Sequence, residues 1–194
     1  MILLGIGSNL SSSFGDRFKN IDLAVSYLQK HGIKIKKRSN YYESPSYPNK
    51  ENPKFINIVV EIQTHLLPTD LASVLILIEE KLERKRIKKN NPRTCDIDII
   101  DYNNKIFNFK YKNLKFTVPH KKLIYRNFVL FPLQEVLPNW RHPKNKELVN
   151  ILIKKLPNEE KNSILKIKKP WYNVNMLNHE DLIKKVKTYN RFFN

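Results

Sequence analysis

The sequence predicts an α+β protein, an antiparallel sheet backed by helices, and three observations carry that expectation. Residues Phe55 to Gln63 alternate with Ile56, Ile58, Val60 and Ile62 on one side, the period of a half-buried strand. Two segments instead repeat apolar residues at helical spacing. The elements follow one another as strand, helix, strand, strand, helix, strand, the βαββαβ order of a ferredoxin-like core.

Each element has a local reason. Ile2 to Gly7 is a short apolar strand, and a loop with Asn9 and three serines follows it. The first helix runs from about Asp16 to His31 with Phe18, Ile21, Ala24, Val25 and Leu28 as its stripe, and Gly32 closes it. Ile33 to Tyr42 reads as a strand, and Glu43 to Asn49 as a proline-rich loop. Pro68 opens the second helix, where its missing N–H is harmless, with Asp70 in the first turn and Leu71, Val74, Leu75, Ile78 and Leu82 as the core face. A basic segment from Arg84 to Lys89 leads to a strand bearing Asp96 and Asp98. A hairpin is expected around Asn103-Asn104, then Thr117-Val118-Pro119-His120, and a short helix through Phe128 to Val136. Leu148 to Leu156 reads as helical, and Trp171 to Asn194 as an extension.

Composition bounds the function without naming it. The chain has 194 residues, enough for one domain with a real core, and no apolar run approaches the ~20 residues of a membrane helix. The N-terminus lacks the basic stretch of a signal peptide, and the single cysteine, Cys95, excludes an internal disulfide, so a cytoplasmic protein is expected. The net charge of +18 raises nucleic-acid binding. The lysines are spread through most segments, however, so a solvated surface or a basic cleft for a small polyanion explains them equally well.

The most informative stretch is Asn91-Pro92-Arg93-Thr94-Cys95-Asp96-Ile97-Asp98-Ile99-Ile100. On a strand Asp96 and Asp98 face one way, roughly 7 Å apart at Cβ, while Cys95, Ile97 and Ile99 face the other. Such an acidic face is solvated, paired with bases or occupied by hard cations. Arg93 adds a cationic fork, and carboxylates, Mg²⁺ and arginine together suit phosphoryl transfer. Phe55 and Asn57 share the face opposite the isoleucines. They read either as a platform for a flat heterocycle or as an ordinary strand Phe and Asn. Arg84 and Arg86 read equally as helix C-terminal charges or as an arm that closes on phosphates. His120 has no second histidine at zinc-ligand spacing. Gly5-Ile6-Gly7 starts like a dinucleotide fingerprint, but Leu10 stands where the third glycine belongs, and GxxxxGK[ST] is absent.

Five motifs stand in one order: Gly7-Ser8-Asn9-Leu10, Tyr42-Glu43-Ser44-Pro45, Phe55-Ile56-Asn57, Pro92-Arg93-Thr94-Cys95-Asp96-Ile97-Asp98 and Thr117-Val118-Pro119-His120. With Phe128 to Leu133 and Trp140-Arg141-His142-Pro143, they make residues 2–143 resemble the 6-hydroxymethyl-7,8-dihydropterin pyrophosphokinases of folate biosynthesis. That family transfers diphosphate from ATP to the pterin's hydroxymethyl oxygen and releases AMP. The resemblance implies that Asp96 and Asp98 hold two Mg²⁺ ions and that Arg84 and Arg93 close on the phosphates as catalytic groups. It implies ATP contacts at Glu79, Arg86, Arg93, Ile99, Thr117, His120 and Arg126. It implies a pterin ring between Phe55 and Phe128, read by Asn57, with backbone groups of Ser44, Pro45 and Tyr47 completing the pocket. Residues 1–143 are then the catalytic domain and 144–194 a Lys-rich helical C-terminal extension. ATP and the pterin are the implied partners of a monomer that needs neither membrane nor nucleic acid.

The chain departs from the family pattern where Glu83 and Asn91 stand in place of glycine, Lys89 in place of arginine, Asn90 in place of tryptophan and Lys121 in place of a common aromatic, and the segment between Arg86 and Pro92 is one residue shorter. A basic RNA-binding module is the competing reading. It calls for an RNP-like aromatic run on the central strands, which is absent, and the paired aspartates would repel phosphates without cations. A homologue kept only for a structural role is a third reading, and the full Asp/Arg/His/Asn set speaks against it.

Overall fold

The computed structural model describes residues 1–86 and 91–169. Its main sheet is built from β1 (Ile2–Ser8), β2 (Lys34–Arg38), β3 (Tyr41–Ser44), β4 (Phe55–Gln63), β5 (Asp96–Tyr102) and β8 (Leu165–Ile167). The order is β5-β1-β4-β3-β8, with β2 also paired to β4, and every pairing is antiparallel. A separate hairpin joins β6 (Phe107–Tyr111) to β7 (Leu114–Val118). The helices are α1 (Arg17–Lys30), α2 (Pro68–Lys81), α3 (Asn127–Val136), α4 (Val149–Lys155) and α5 (Asn158–Asn162). Among the described residues no helix is long and apolar enough to cross a membrane.

The period of two divides the core between the two faces of the sheet. Ile2, Leu4 and Ile6 of β1, the four even-numbered residues of β4 from Ile56 to Ile62, and Ile97 and Ile99 of β5 meet Ile21, Leu28, Leu71, Leu75 and Ile78 of α1 and α2. Leu3, Val59 and Ile100 point the other way, to Leu130, Leu133, Val149 and Leu152 of α3 and α4.

Helix ends follow the sequence closely. The Asp16 side chain accepts the Lys19 N–H at 2.8 Å at the start of α1. Gly32, at φ 74°, closes the helix with Gly32 N–H to Gln29 O and Ile33 N–H to Leu28 O. Pro68 occupies the first turn of α2.

Two local expectations are corrected. The strand expected over residues 33–42 is two strands, interrupted at Ser39-Asn40, where the Ser39 hydroxyl rather than a main-chain group accepts the Val59 N–H at 3.1 Å. The chain does turn at Asn103-Asn104, both at positive φ, but it does not return along β5. The hairpin closes instead at Lys112-Asn113 (φ 44° and 61°), the two-residue turn that matches strand twist. Phe109 and Phe116 stack across it at 4.8 Å, and Phe107 meets Tyr102 edge-on at 5.9 Å, so aromatic packing holds the hairpin beside β5. Beyond residue 144, α4 joins the second core cluster and β8 pairs with β3, so this part adds a strand to the sheet as well as helices. The stretch from Trp171 onward lies outside the described residues.

Glu135 on α3 fixes β3 and hence the loop after it. Its carboxylate accepts from Tyr42 Oη at 2.7 Å, from the Asn40 N–H at 2.9 Å and from Asn40 Nδ2 at 2.6 Å, and pairs with Lys166 of β8 at 2.9 Å. Partial burial opposes its ionisation, but the hydrogen bonds from Tyr42, Asn40 and Lys166 outweigh that and hold the carboxyl below the usual glutamate value. Glu135→Ala is therefore expected to destabilise the fold by about 2 kcal/mol in chemical denaturation. A depressed carboxyl stabilises fully above its unfolded value of 4.5, and the contribution is lost as pH falls through the lower folded value. The gap between wild type and variant should accordingly close on acidification, and a gap independent of pH would contradict this role.

Candidate active site

Register across the sheet brings the site together. Gly7 of β1 pairs with Asp96 on one side and with Asn57 on the other, and Gly5 pairs with Asp98 and Val59. Directly paired residues point to the same face, so acid, glycine and amide form one row. At strand spacing, Asp96 and Asn57 stand about 10 Å apart across a middle strand that offers no side chain. A Cβ on Gly7 would lie 3.0 Å from Asn57 Oδ1 and 3.5 Å from Phe55 Cδ1, and one on Gly5 would lie 3.3 Å from Ile100 Cδ1. The two glycines thus form a floor between the carboxylates and the Phe55/Asn57 face. Their spacing is what resembles a dinucleotide fingerprint in the sequence, and here it serves a different purpose.

Asp96 is the hub of the charged half. Its Oδ1 accepts from Arg84 Nη1 at 2.5 Å, and its Oδ2 faces Arg93 Nε at 2.7 Å and Nη2 at 2.5 Å. Burial alone would raise this carboxyl, but the Arg93 and Arg84 guanidiniums hold it below the usual aspartate value. Glu79, from the last turn of α2, is 2% exposed and bonds both Arg84 and Arg86. Its Oε1 also accepts the outward N–H of Ile97 at 2.7 Å, tying α2 to the edge strand β5. Burial pushes Glu79 up to about 7 against the pull of the two arginines. Asp98 is freer: its side chain is half exposed, and Arg126 Nη1 approaches its Oδ2 only to 3.4 Å.

A cleft of about 170 Å³ runs along the outer edge of β5, between α2 and β7. It gathers Glu79, Arg86, Asp96, Asp98, Ile99, Thr117 and His120, residues that the resemblance assigns to ATP and metal. Leu114, Lys115 and Phe116 line it too, and sequence reasoning missed them because only the fold shows that β7 stands beside β5. The Lys122 N–H donates to His120 Nδ1 at 3.0 Å. Arg126 Nη2, which can only donate, lies 3.2 Å from His120 Nε2.

The second half of the row holds the aromatic residues. Arg93 lies over the Phe55 ring at 4.9 Å, and Arg126 over the Phe128 ring at 5.6 Å. Each aromatic face is thus covered by an arginine that also meets an aspartate. Asn57, 6% exposed, donates from Nδ2 to Ser44 Oγ at 3.0 Å, which fixes its amide and leaves Oδ1 toward Gly7. Pro45 is half buried at the rim. Tyr47 is 71% exposed, with Lys122 over its ring at 5.8 Å, and so stands off from the row. Lys121 is exposed, and Asn90 lies outside the described residues. Asn9, 1% exposed and bonded to Arg93, is a further residue that sequence reasoning quoted without a role.

Comparison with known proteins gives matches over most of the chain. The model of the 7,8-dihydro-6-hydroxymethylpterin-pyrophosphokinase family matches residues 3–138. The chain is 32% identical over 155 residues to a 2-amino-4-hydroxy-6-hydroxymethyldihydropteridine pyrophosphokinase of Synechocystis, covering 79% of this chain and 75% of the relative. It is 37% identical over 142 residues to the protein of the same name from Aquifex aeolicus, covering 73% and 83%. A crystal structure of Plasmodium falciparum HPPK-DHPS superposes with a TM-score of 0.63 at 17% identity, over 79% of this chain and 44% of that one, which shows a shared fold.

The His120–Arg126 contact is testable. Burial first, then the Arg126 and Lys122 charges, lower its imidazole to about 4. In an NMR titration of the free protein its midpoint is expected near that value, and Arg126→Ala should move it up toward 6.5. A wild-type midpoint near 6.5 would contradict the assignment.

Proposed function

The chain belongs to the 7,8-dihydro-6-hydroxymethylpterin-pyrophosphokinase family, and on that premise we propose that it transfers diphosphate from ATP to the hydroxymethyl oxygen of 6-hydroxymethyl-7,8-dihydropterin, releasing AMP, in folate biosynthesis. The observation that carries the reading is the Asp96-Gly7-Asn57 row, with phosphate chemistry at one end and a flat apolar slot at the other. A basic RNA-binding module finds no support: the row presents carboxylates, not stacked aromatics, to an incoming backbone.

The acids fit magnesium. Two carboxylates on one strand face offer oxygen donors only, and Mg²⁺ is commonly held by one or two protein carboxylates with substrate phosphates filling the rest. Among the described residues no group of three or more His, Cys, Asp or Glu assembles into a fuller metal cage, which accords with a nucleotide completing the site. Asp96 and Asp98 would hold the cations, two of them in this proposal. Bound there, the metal supplies Lewis-acid neutralisation of phosphate oxygens.

The remaining roles fall to the chain's own groups. The pterin ring lies between Phe55 and Phe128, displacing the arginines that now cover them, and Asn57 Oδ1 reads its edge beside Ser44, Pro45 and Tyr47. ATP lies along β5 against Glu79, Arg86, Ile99 and Thr117. His120 and Arg126 contact its phosphates. Arg84 and Arg93 pass from Asp96 to the triphosphate and neutralise the charge on the transferring group. The hydroxymethyl oxygen attacks the β-phosphorus in line and gives up its proton to solvent, the bond from that phosphorus to the α-phosphate oxygen breaks, and AMP leaves.

Finer points of organisation belong to the same proposal. The β5-β1-β4-β3 order, with α1 and α2 on one face, supports a ferredoxin-like core. Residues 1–143 act as the catalytic domain and 144–194 as its Lys-rich C-terminal extension, in a cytoplasmic monomer that uses two small-molecule substrates.

Incubation with ATP, Mg²⁺ and the hydroxymethylpterin should yield AMP; ADP as the only nucleotide product would sink the reading. Asp98→Asn, at a half-exposed position whose loss spares the fold, should lower kcat about a thousandfold. Pterin affinity without nucleotide should stay within about twofold, since Asn57 and the aromatics are untouched. Comparable turnover in wild type and variant would contradict the metal role.

A further inference from the structure

The loop that follows β1 grips both arginines of the Asp96 cluster. At its start Asn9, almost fully buried, accepts the Arg93 N–H on Oδ1 at 2.6 Å, while the Asn9 and Leu10 N–H groups donate to the Arg93 carbonyl at 3.0 and 3.1 Å. The same side chain donates from Nδ2 to the Pro53 carbonyl at 3.0 Å, two residues before Phe55. Both polar ends of its amide are therefore engaged, one on the Arg93 loop and one on the loop leading to β4.

At the far end of the loop Ser13 donates from its N–H and its Oγ to the two oxygens of Glu83, at 3.0 and 2.5 Å. Glu83 closes α2 as Gly32 closes α1. Glu83 N–H bonds Glu80 O and Arg84 N–H bonds Glu79 O, each at 3.0 Å, with Glu83 in the left-handed region at φ 64°. A side chain is disfavoured there, and the doubly bonded carboxylate offsets that strain. The next residue is Arg84. Between the two grips the loop is stiff: Ser12 and Gly15 exchange main-chain bonds at 2.9 and 3.2 Å, and Ser12 Oγ bonds Asn20 Oδ1 of α1 at 2.6 Å.

We propose that the β1–α1 loop is a bracket that sets Arg93 through Asn9 and Arg84 through the Ser13–Glu83 clasp, making Asn9 and Glu83 positioning residues for diphosphate transfer. The proposal rests on the function proposed above. Neither residue meets a reacting atom; each fixes the main chain from which a guanidinium reaches.

Glu83→Gly removes the clasp while suiting φ 64°, so the fold should hold, with Tm within about 3 °C of wild type. Its kcat should drop about tenfold with KM for the pterin little changed, and Glu83→Gln, which keeps an acceptor for Ser13, should restore most of it. In an Arg84→Ala background Glu83→Gly should cause no further loss, and Asn9→Ala should behave likewise in an Arg93→Ala background. An unchanged kcat in Glu83→Gly, or a loss that persists undiminished without Arg84, overturns the bracket. Should Asn9→Ala not fold, the Glu83 cycle decides alone. Calorimetry with magnesium and a non-hydrolysable ATP analogue reads the same cycles without turnover. A wild type that binds the analogue but releases no AMP would therefore sink the diphosphotransferase reading and still decide the bracket.

Discussion

The Asp96 carboxylate, shared between Arg84 and Arg93, is the contact on which the rest of this site depends. A largely enclosed aspartate is costly unless paired, and here both oxygens are met by guanidiniums. The pairing draws two distant stretches of chain, the end of α2 and the approach to β5, to one point on the sheet. It also leaves two arginines poised on a carboxylate that suits a cation, so exchange of one positive partner for another is built into the local electrostatics.

From that point the sheet distributes the chemistry. β1 runs between β5 and β4, and its glycines keep the surface between acid and amide bare. Charge then dominates on the β5 side, where α2 supplies Glu79 and β7 walls a cleft, while aromatic surface dominates on the β4 and α3 side. Arg93 and Arg126 cross the divide, each meeting an aspartate and covering a phenylalanine. Departure of the guanidiniums toward an anion would therefore uncover the aromatic faces in the same movement. This links the two halves through residues seen in contact.

Much of this was legible in the sequence because it rests on short-range rules. The period of two put Asp96 with Asp98 and Phe55 with Asn57, and caps at Asp16, Gly32 and Pro68 fixed the helices. What escaped notice depends on which strands lie side by side. The role of Gly5 and Gly7 appears only once β1 is known to separate β5 from β4, and Leu114, Lys115 and Phe116 only once the β6–β7 hairpin stands beside β5. The hairpin itself was misjudged at Asn103-Asn104, where positive φ serves a change of direction and the closing turn lies at Lys112-Asn113.

The most direct test of the central claim is a crystal structure of the protein with Mg²⁺ and an unreactive ATP analogue. The account predicts divalent-cation density held by Asp96 and Asp98, with Arg84 and Arg93 withdrawn from Asp96 onto the triphosphate. A nucleotide bound with both arginines still on Asp96, and no cation beside either aspartate, would contradict it.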